Sequence, residues 1–177
     1  FIGRNMMAWL QQEGWQVDGY EWHPTHRPDV SLYDWVIHLG AISSTTERDV
    51  DKVMLQNYEF SKWLFNQCNI NGVNFQYASS ASVYGTNTDF NEDAPKQPQS
   101  YYATSKYLFD RWIMQQEHKI IVQGFSNWRH WYRKNKYYQT LCSQYIFLCV
   151  VPSDYTITFR HMTFAPILQR RVYSSPP

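Results

Sequence analysis

The sequence predicts an α/β domain built on a parallel sheet with crossover helices. Two observations carry that prediction. Helix and strand signals alternate through the first two-thirds of the chain, and a central strand signal is a short apolar run of buried type, not an in–out alternation. A third bounds it: 177 residues with 44% hydrophobic and 18% charged content suit one packed domain rather than a disordered chain.

The elements follow in order. Residues 5–13 (NMMAWLQQE) read as an amphipathic helix stopped by Gly14. Residues 15–22 (WQVDGYEW) read as a strand, and residues 23–31, with Pro24 and Pro28, as a loop. Residues 34–39 (DWVIHL) form the buried-strand run, closed by Gly40 and Ala41. Residues 50–69 fit a helix with Val53, Leu55, Phe60, Trp63 and Leu64 toward the core. A strand at 73–78 (VNFQYA), a loop with Pro95 and Pro98, a helix from about 101 to 117 and a strand at 119–124 (KIIVQG) complete the pattern. Beyond Phe125 it degrades: residues 126–138 mix aromatics and cations with no clear period, and residues 140–177 hold short apolar runs without helix or turn grammar.

Charge marks the same boundary. Residues 1–117 hold 8 Lys+Arg against 14 Asp+Glu, whereas residues 118–177 hold 8 Lys+Arg against the single acid Asp154. Trp128, Arg129, His130, Trp131, Tyr132, Arg133, Lys134 and Lys136 would suit stacking on single-stranded nucleic acid, but no RNA-binding motif surrounds them and no nucleic-acid partner is expected. No apolar run approaches the roughly 20 residues that span a bilayer, so no membrane partner is expected. Cys68, Cys142 and Cys149 are scattered without a CxxC, which points to a reducing, cytoplasmic setting. The histidines at 23, 26, 38, 118, 130 and 161 show no ligand spacing with Cys or acids, so no metal is expected, and His38 reads as a strand-end core histidine.

Chemistry enters with Tyr-xxx-Lys pairs, of which there are three: Tyr58/Lys62, Tyr102/Lys106 and Tyr132/Lys136. With 14 Tyr and 7 Lys, chance alone gives roughly 0.6, so spacing decides nothing. Context selects Tyr102/Lys106, which opens a helix preceded by a strand ending in Ser79-Ser80, where a sheet's carboxyl edge places ligands. A tyrosine hydroxyl, with an ordinary pKa of about 10, is a poor base at neutral pH; a lysine one turn along the same face lowers it. A serine hydroxyl opposite can hold a substrate oxygen in line.

Residues 77–85 (YASSASVYG) and 92–106 (EDAPKQPQSYYATSK) resemble the active-site stretch of extended short-chain dehydrogenases/reductases, the family of nucleotide-sugar epimerases and dehydratases. Residues 38–47 (HLGAISSTTE), 57–68 (NYEFSKWLFNQC) and 105–110 (SKYLFD) are most similar to its ADP-L-glycero-D-manno-heptose 6-epimerase branch. The resemblance covers about residues 1–125 and implies a Rossmann-like, doubly wound parallel sheet. It implies Ser80, Tyr102 and Lys106 as catalytic residues, with Lys106 also on the nicotinamide ribose. Cofactor contacts are implied at Phe1, Ile2 and Gly3 (the tail of a glycine-rich fingerprint), at Leu39, Gly40, Ala41, Ile42 and Ser43 (a strand end), and at Asn57. Glu21, eighteen residues after Gly3, sits where the family has an acid near the adenosine ribose. Such an acid favours NAD over NADP, whereas the heptose branch is usually NADP-linked, so either cofactor fits.

The implied activity is epimerisation of a nucleotide-linked sugar, ADP-heptose by the branch resembled, through transient oxidation of a carbinol. The alternatives are a dehydratase or 4-epimerase of the same family, or a non-catalytic remnant. A homo-oligomer and a role in lipopolysaccharide biosynthesis are implied likewise. Two departures shape the expected organisation. The chain starts at Phe1, without the family's first strand, and after Gly124-Phe125 it reads SNWRH where the family continues differently. Residues 1–125 are therefore expected to be a partial NAD(P)-binding Rossmann domain, truncated at the first strand and lacking the carboxyl-terminal substrate domain. Residues 126–177 are expected to be a divergent or frameshifted tail, with Lys134 and Lys136 candidates for a second base by proximity alone.

Overall fold

A computed structural model describes residues 2–89, 91, 93–125 and 148–149. Helix α1 (Ile2–Gln12) buries Leu10 and ends at Gly14, whose φ of +87° suits glycine at a helix stop. Strand β1 (Trp35–His38) is buried along its whole length. A continuous helical stretch follows: α2 (Val50–Val53), a π segment (Met54–Glu59) and α3 (Phe60–Asn71). Its start is capped by Asp49, whose carboxylate accepts from Lys52 N at 2.9 Å. Then come β2 (Asn74–Ala78), a 3-10 turn (Ala81–Tyr84), α4 (Tyr101–Ile113), β3 (Val122–Phe125) and β4 (Leu148–Cys149).

The sheet order is β3-β2-β1-β4. β1, β2 and β3 are parallel, with His38 beside Tyr77 and Tyr77 beside Gly124, while β4 pairs antiparallel with β1. The expected parallel α/β sheet is thus present, and two residues of the expected tail add an antiparallel strand to its edge.

Strand alternation sends β1 side chains to two faces, and helices cover both. Trp35 and Ile37 cluster with Leu10, Trp15 and Val17 on the α1 side. Val36 clusters with Phe60, Leu64, Phe75, Tyr77 and Phe109 on the α3/α4 side. That doubly wound layering is the Rossmann-like arrangement.

Three expectations are corrected. Residues 15–22 form no strand: Trp15 and Val17 are buried in alternation against Trp35 and Ile37, but no ladder pairs them among the described residues, so side-chain burial proceeds without strand hydrogen bonds. Leu55 is 50% exposed, because the buried stripe of its helix runs through Val53, Asn57, Ser61, Leu64 and Cys68. The expected strand at 119–124 begins only at Val122, since the Lys119 and Ile121 amides are held by the Asn69 and Asn74 side chains.

Candidate active site at the carboxyl edge of the sheet

Because β1 and β2 run parallel and in register, their exits lie side by side. Leu39, Gly40, Ala41, Ile42 and Ser43 leave β1 there, and Ser79 and Ser80 leave β2. Helix α4 reaches the same edge with its first two turns. Ser100 caps it, accepting from Ala103 N at 3.1 Å, and this fixes where Tyr102 and Lys106 fall.

Lys106 is 4% exposed, and its ammonium donates to the Ala78 carbonyl at 2.8 Å, at the last residue of β2. Burial lowers its pKa to about 8, against an opposing pull from the Asp110 carboxylate. Ser80 follows one residue beyond Ser79, caps the 3-10 turn, and its hydroxyl accepts from Ser82 N at 3.2 Å. The sharp reversal after this turn depends on Gly85 at φ +63°, where a Cβ would collide with the Gln97 carbonyl. Tyr102 and Lys106 lie one turn apart on α4, as the spacing requires.

Asn57 ties the β1 exit to α4. Its side-chain carbonyl accepts from Ile42 N at 2.8 Å, and its amide nitrogen donates to Ile42 O at 3.0 Å and Ser105 Oγ at 3.1 Å. Ser105 in turn donates to Tyr102 O at 2.7 Å. Asn57 is completely buried, and both amide protons are engaged within the chain. It thereby shapes the Leu39–Ser43 exit, the segment expected to line the cofactor.

His38 lies beneath this layer as a core histidine. Ser61 Oγ donates its only proton to Asn57 O at 2.6 Å, so the 2.7 Å contact between His38 Nε2 and Ser61 Oγ is donated by the ring. His38 Nδ1 is then a bare acceptor, buried and unpartnered. Burial first, and the Lys106 charge second, push its pKa down to about 3.

The rival pairs separate clearly. Lys62 sits 4.7 Å from the Tyr58 ring centre and 3.3 Å from the Glu59 carboxylate, a surface cation–π and ion pair. Tyr132, Lys134 and Lys136 lie outside the described residues, as does Phe1. Ile2 and Gly3 begin α1, with Gly3 buried. Glu21 is exposed in the irregular segment ahead of β1.

Sequence reading passed over Ser79 and Asp110. Asp110 lies one turn beyond Lys106, and its Oδ2 accepts from Ser79 Oγ at 2.5 Å. The signal was present, an acid at i+4 from a lysine on the same helical face. An acid at that spacing is as common on a solvated face, and nothing in the sequence marks this one as buried.

The residues present fit a dinucleotide. Glycine, alanine and serine line the β1 exit, a buried lysine lies at the β2 exit, and Asp110 Oδ1 beside that exit is buried without a partner. Such a layout defines a nucleotide-binding α/β domain of dehydrogenase/reductase type. Residues 1–121 match the NAD dependent epimerase/dehydratase family, and the chain belongs to that family.

Solved structures agree on the fold. A short-chain dehydrogenase/reductase superfamily protein from Agrobacterium tumefaciens with bound NAD is 26% identical, with a TM-score of 0.61 over 71% of this chain and 45% of that one. ADP-L-glycero-D-manno-heptose-6-epimerase from Helicobacter pylori is 24% identical, with a TM-score of 0.51 over 60% of this chain and 37% of that one. An NAD-dependent NDP-hexosamine 5,6-dehydratase of tunicamycin biosynthesis is 22% identical, with a TM-score of 0.58 over 71% of this chain and 51% of that one. The chain thus spans about half or less of these proteins' lengths. Among the described residues, no helix is long and apolar enough to cross a membrane.

Proposed function

We propose that the chain carries the cofactor-binding and catalytic half of an NAD(P)-dependent nucleotide-sugar epimerase, most similar to ADP-L-glycero-D-manno-heptose 6-epimerase and acting on ADP-heptose. The observation that supports this best is Lys106. It is buried at the sheet's carboxyl edge beside the exit that carries Ser80, one turn from Tyr102, with its pKa lowered to about 8. NAD or NADP, when bound, supplies the hydride acceptor. The side chains then have separable tasks. Ser80 Oγ holds the sugar hydroxyl, and the Tyr102 phenolate oxygen takes its proton, then returns it after the carbonyl has turned over. The Lys106 ammonium stabilises the phenolate by its charge. Ile2 and Gly3 at the α1 start suit the pyrophosphate, and Leu39–Ser43 the flank of the dinucleotide. Glu21 would select NAD by accepting from a ribose hydroxyl.

Dehydratases and 4-epimerases share the first oxidation, so the reading separates from them only by product. Residues 1–125 act here as the Rossmann part and residues 126–177 as an appended divergent tail.

The test uses the full chain. NAD or NADP at millimolar concentration should raise the melting temperature, as any ligand of the folded state must. ADP-heptose should then be converted to its 6-epimer. Tyr102→Phe should keep the thermal shift and lower turnover by about 10²–10⁴-fold. Absence of any shift with either dinucleotide would leave a non-catalytic remnant as the answer.

A further inference from the structure

We propose that Asp110 is a positioning residue of this site: by gripping Ser79 it locks the β2 exit to α4, fixing together the carbonyl that anchors Lys106 and the serine that follows. The inference rests on the site proposed above, but its geometry is separate from catalysis. Two consecutive strand-exit residues are held by two side chains one turn apart on one helix. Lys106 donates to Ala78 O at 2.8 Å, and Asp110 accepts from Ser79 Oγ at 2.5 Å. One bond alone would leave the exit free to pivot about it. Two of opposite polarity fix its rotation, and with it the direction in which Ser80 leaves.

A buried carboxylate is a costly peg, so its retention calls for a reason. A neutral side chain could hold a serine hydroxyl. Asp110 Oδ1, however, is buried without a partner, and its charge acts on Lys106. Burial raises the Asp110 pKa, while the bonds from Ser79 and Tyr77 and the Lys106 and Lys96 charges lower it. The groups around the pair are thus His38 from β1, Tyr77 from β2, Ser79 at the β2 exit, and Lys96 from the loop before α4. His38 is neutral at neutral pH and Tyr77 is pushed further from ionisation by burial, so Asp110 is the only anion set against the two lysines among these groups. Asp110 thereby keeps Lys106 charged as well as placed.

The test follows the Lys106 ammonium in the full chain labelled with 13Cε-lysine, its NMR signal assigned by Lys106→Arg. Lys106 should titrate well below the other lysines. Asp110→Asn should lower its midpoint by about one pH unit or more, because an opposite charge at close range has been removed. Ser79→Ala should lower it in the same direction by less, since the carboxylate loses a bond that favours its charged form. It also serves as the informative variant if Asp110→Asn fails to fold. In a double-mutant cycle, dinucleotide affinity should fall for each variant and the double should fall by less than their sum. Unshifted Lys106 midpoints in the folded variants, with only the melting temperature changed, would overturn the proposal and make Asp110 a purely structural peg. A normal Lys106 midpoint in the parent chain would overturn it too. Shifted midpoints without any dinucleotide binding would uphold the clamp and sink the proposed function instead.

Discussion

The two faces of β1 solve different problems with the same four residues. Toward α1, Trp35 and Ile37 meet Leu10, Trp15 and Val17, an entirely apolar set. Toward α3 and α4, Val36 joins an aromatic core, yet His38, Asn57, Ser61, Ser105 and Lys106 are buried on the same side. Apolar contact tolerates exchange of one shape for another, whereas each buried polar group requires its partner. The second face therefore carries the specificity of the fold, and its polar members converge on the exits of β1 and β2.

The sharpest way to break this contrast is to make volume-conserving changes on each face. Asn57→Leu strands the Ile42 N–H and carbonyl and removes the Ser105 contact. It should destabilise the chain by about 2–5 kcal/mol, since each unpaired buried group costs about 1–3 kcal/mol. Leu10→Met on the other face should cost less than about 1.5 kcal/mol. Urea denaturation of the full chain reads both. Equal losses would mean that polar satisfaction is not what distinguishes the faces.

Of the two faces of β1, acid should act through the polar one, which holds His38. His38 has a pKa of about 3 in the folded chain against an ordinary 6.5, so between these values the unfolded chain binds a proton that the folded chain refuses. Its contribution is complete above about pH 6.5 and is lost as pH falls toward 3, with a slope of at most about 1.4 kcal/mol per pH unit. Asp110 works in the opposite sense, because its raised pKa lends stability at low pH that is lost as pH rises through its folded value. The measurement is therefore a difference. His38→Gln keeps a donor for Ser61 but cannot titrate, and it should flatten the parent's decline between pH 6.5 and 4. An unchanged slope would show that His38 is not the group responsible.

These features also mark what could be read from the sequence. The apolar run of β1, the strand signal at 73–78 and the SYYATSK context located the strands and the positions of Ser80, Tyr102 and Lys106 without coordinates. The strand expected at 15–22 failed because its alternation reported burial only, and pairing depends on a neighbour that a local pattern does not encode. Asn57 was noticed as a cofactor-site residue, but its tie between the β1 exit and α4 was not. Ser61, Ser79, Ser105 and Asp110 were passed over because polarity reads as exposure until a partner is seen.

Leu55 gives the smallest and most direct test of that last point. Hydrophobicity placed it in the core, yet it is 50% exposed, while Asn57 two residues later is fully buried. Two residues along this helical stretch amount to roughly half a turn, so both cannot face inward, and the paired amide holds the inward position. Leu55→Ala should change stability by no more than about 0.5 kcal/mol, as surface substitutions do. A loss of about 2 kcal/mol or more, the range of a core leucine, would put Leu55 inside. The helix would then have to rotate Asn57 away from Ile42, and the tie between the β1 exit and α4 would be lost.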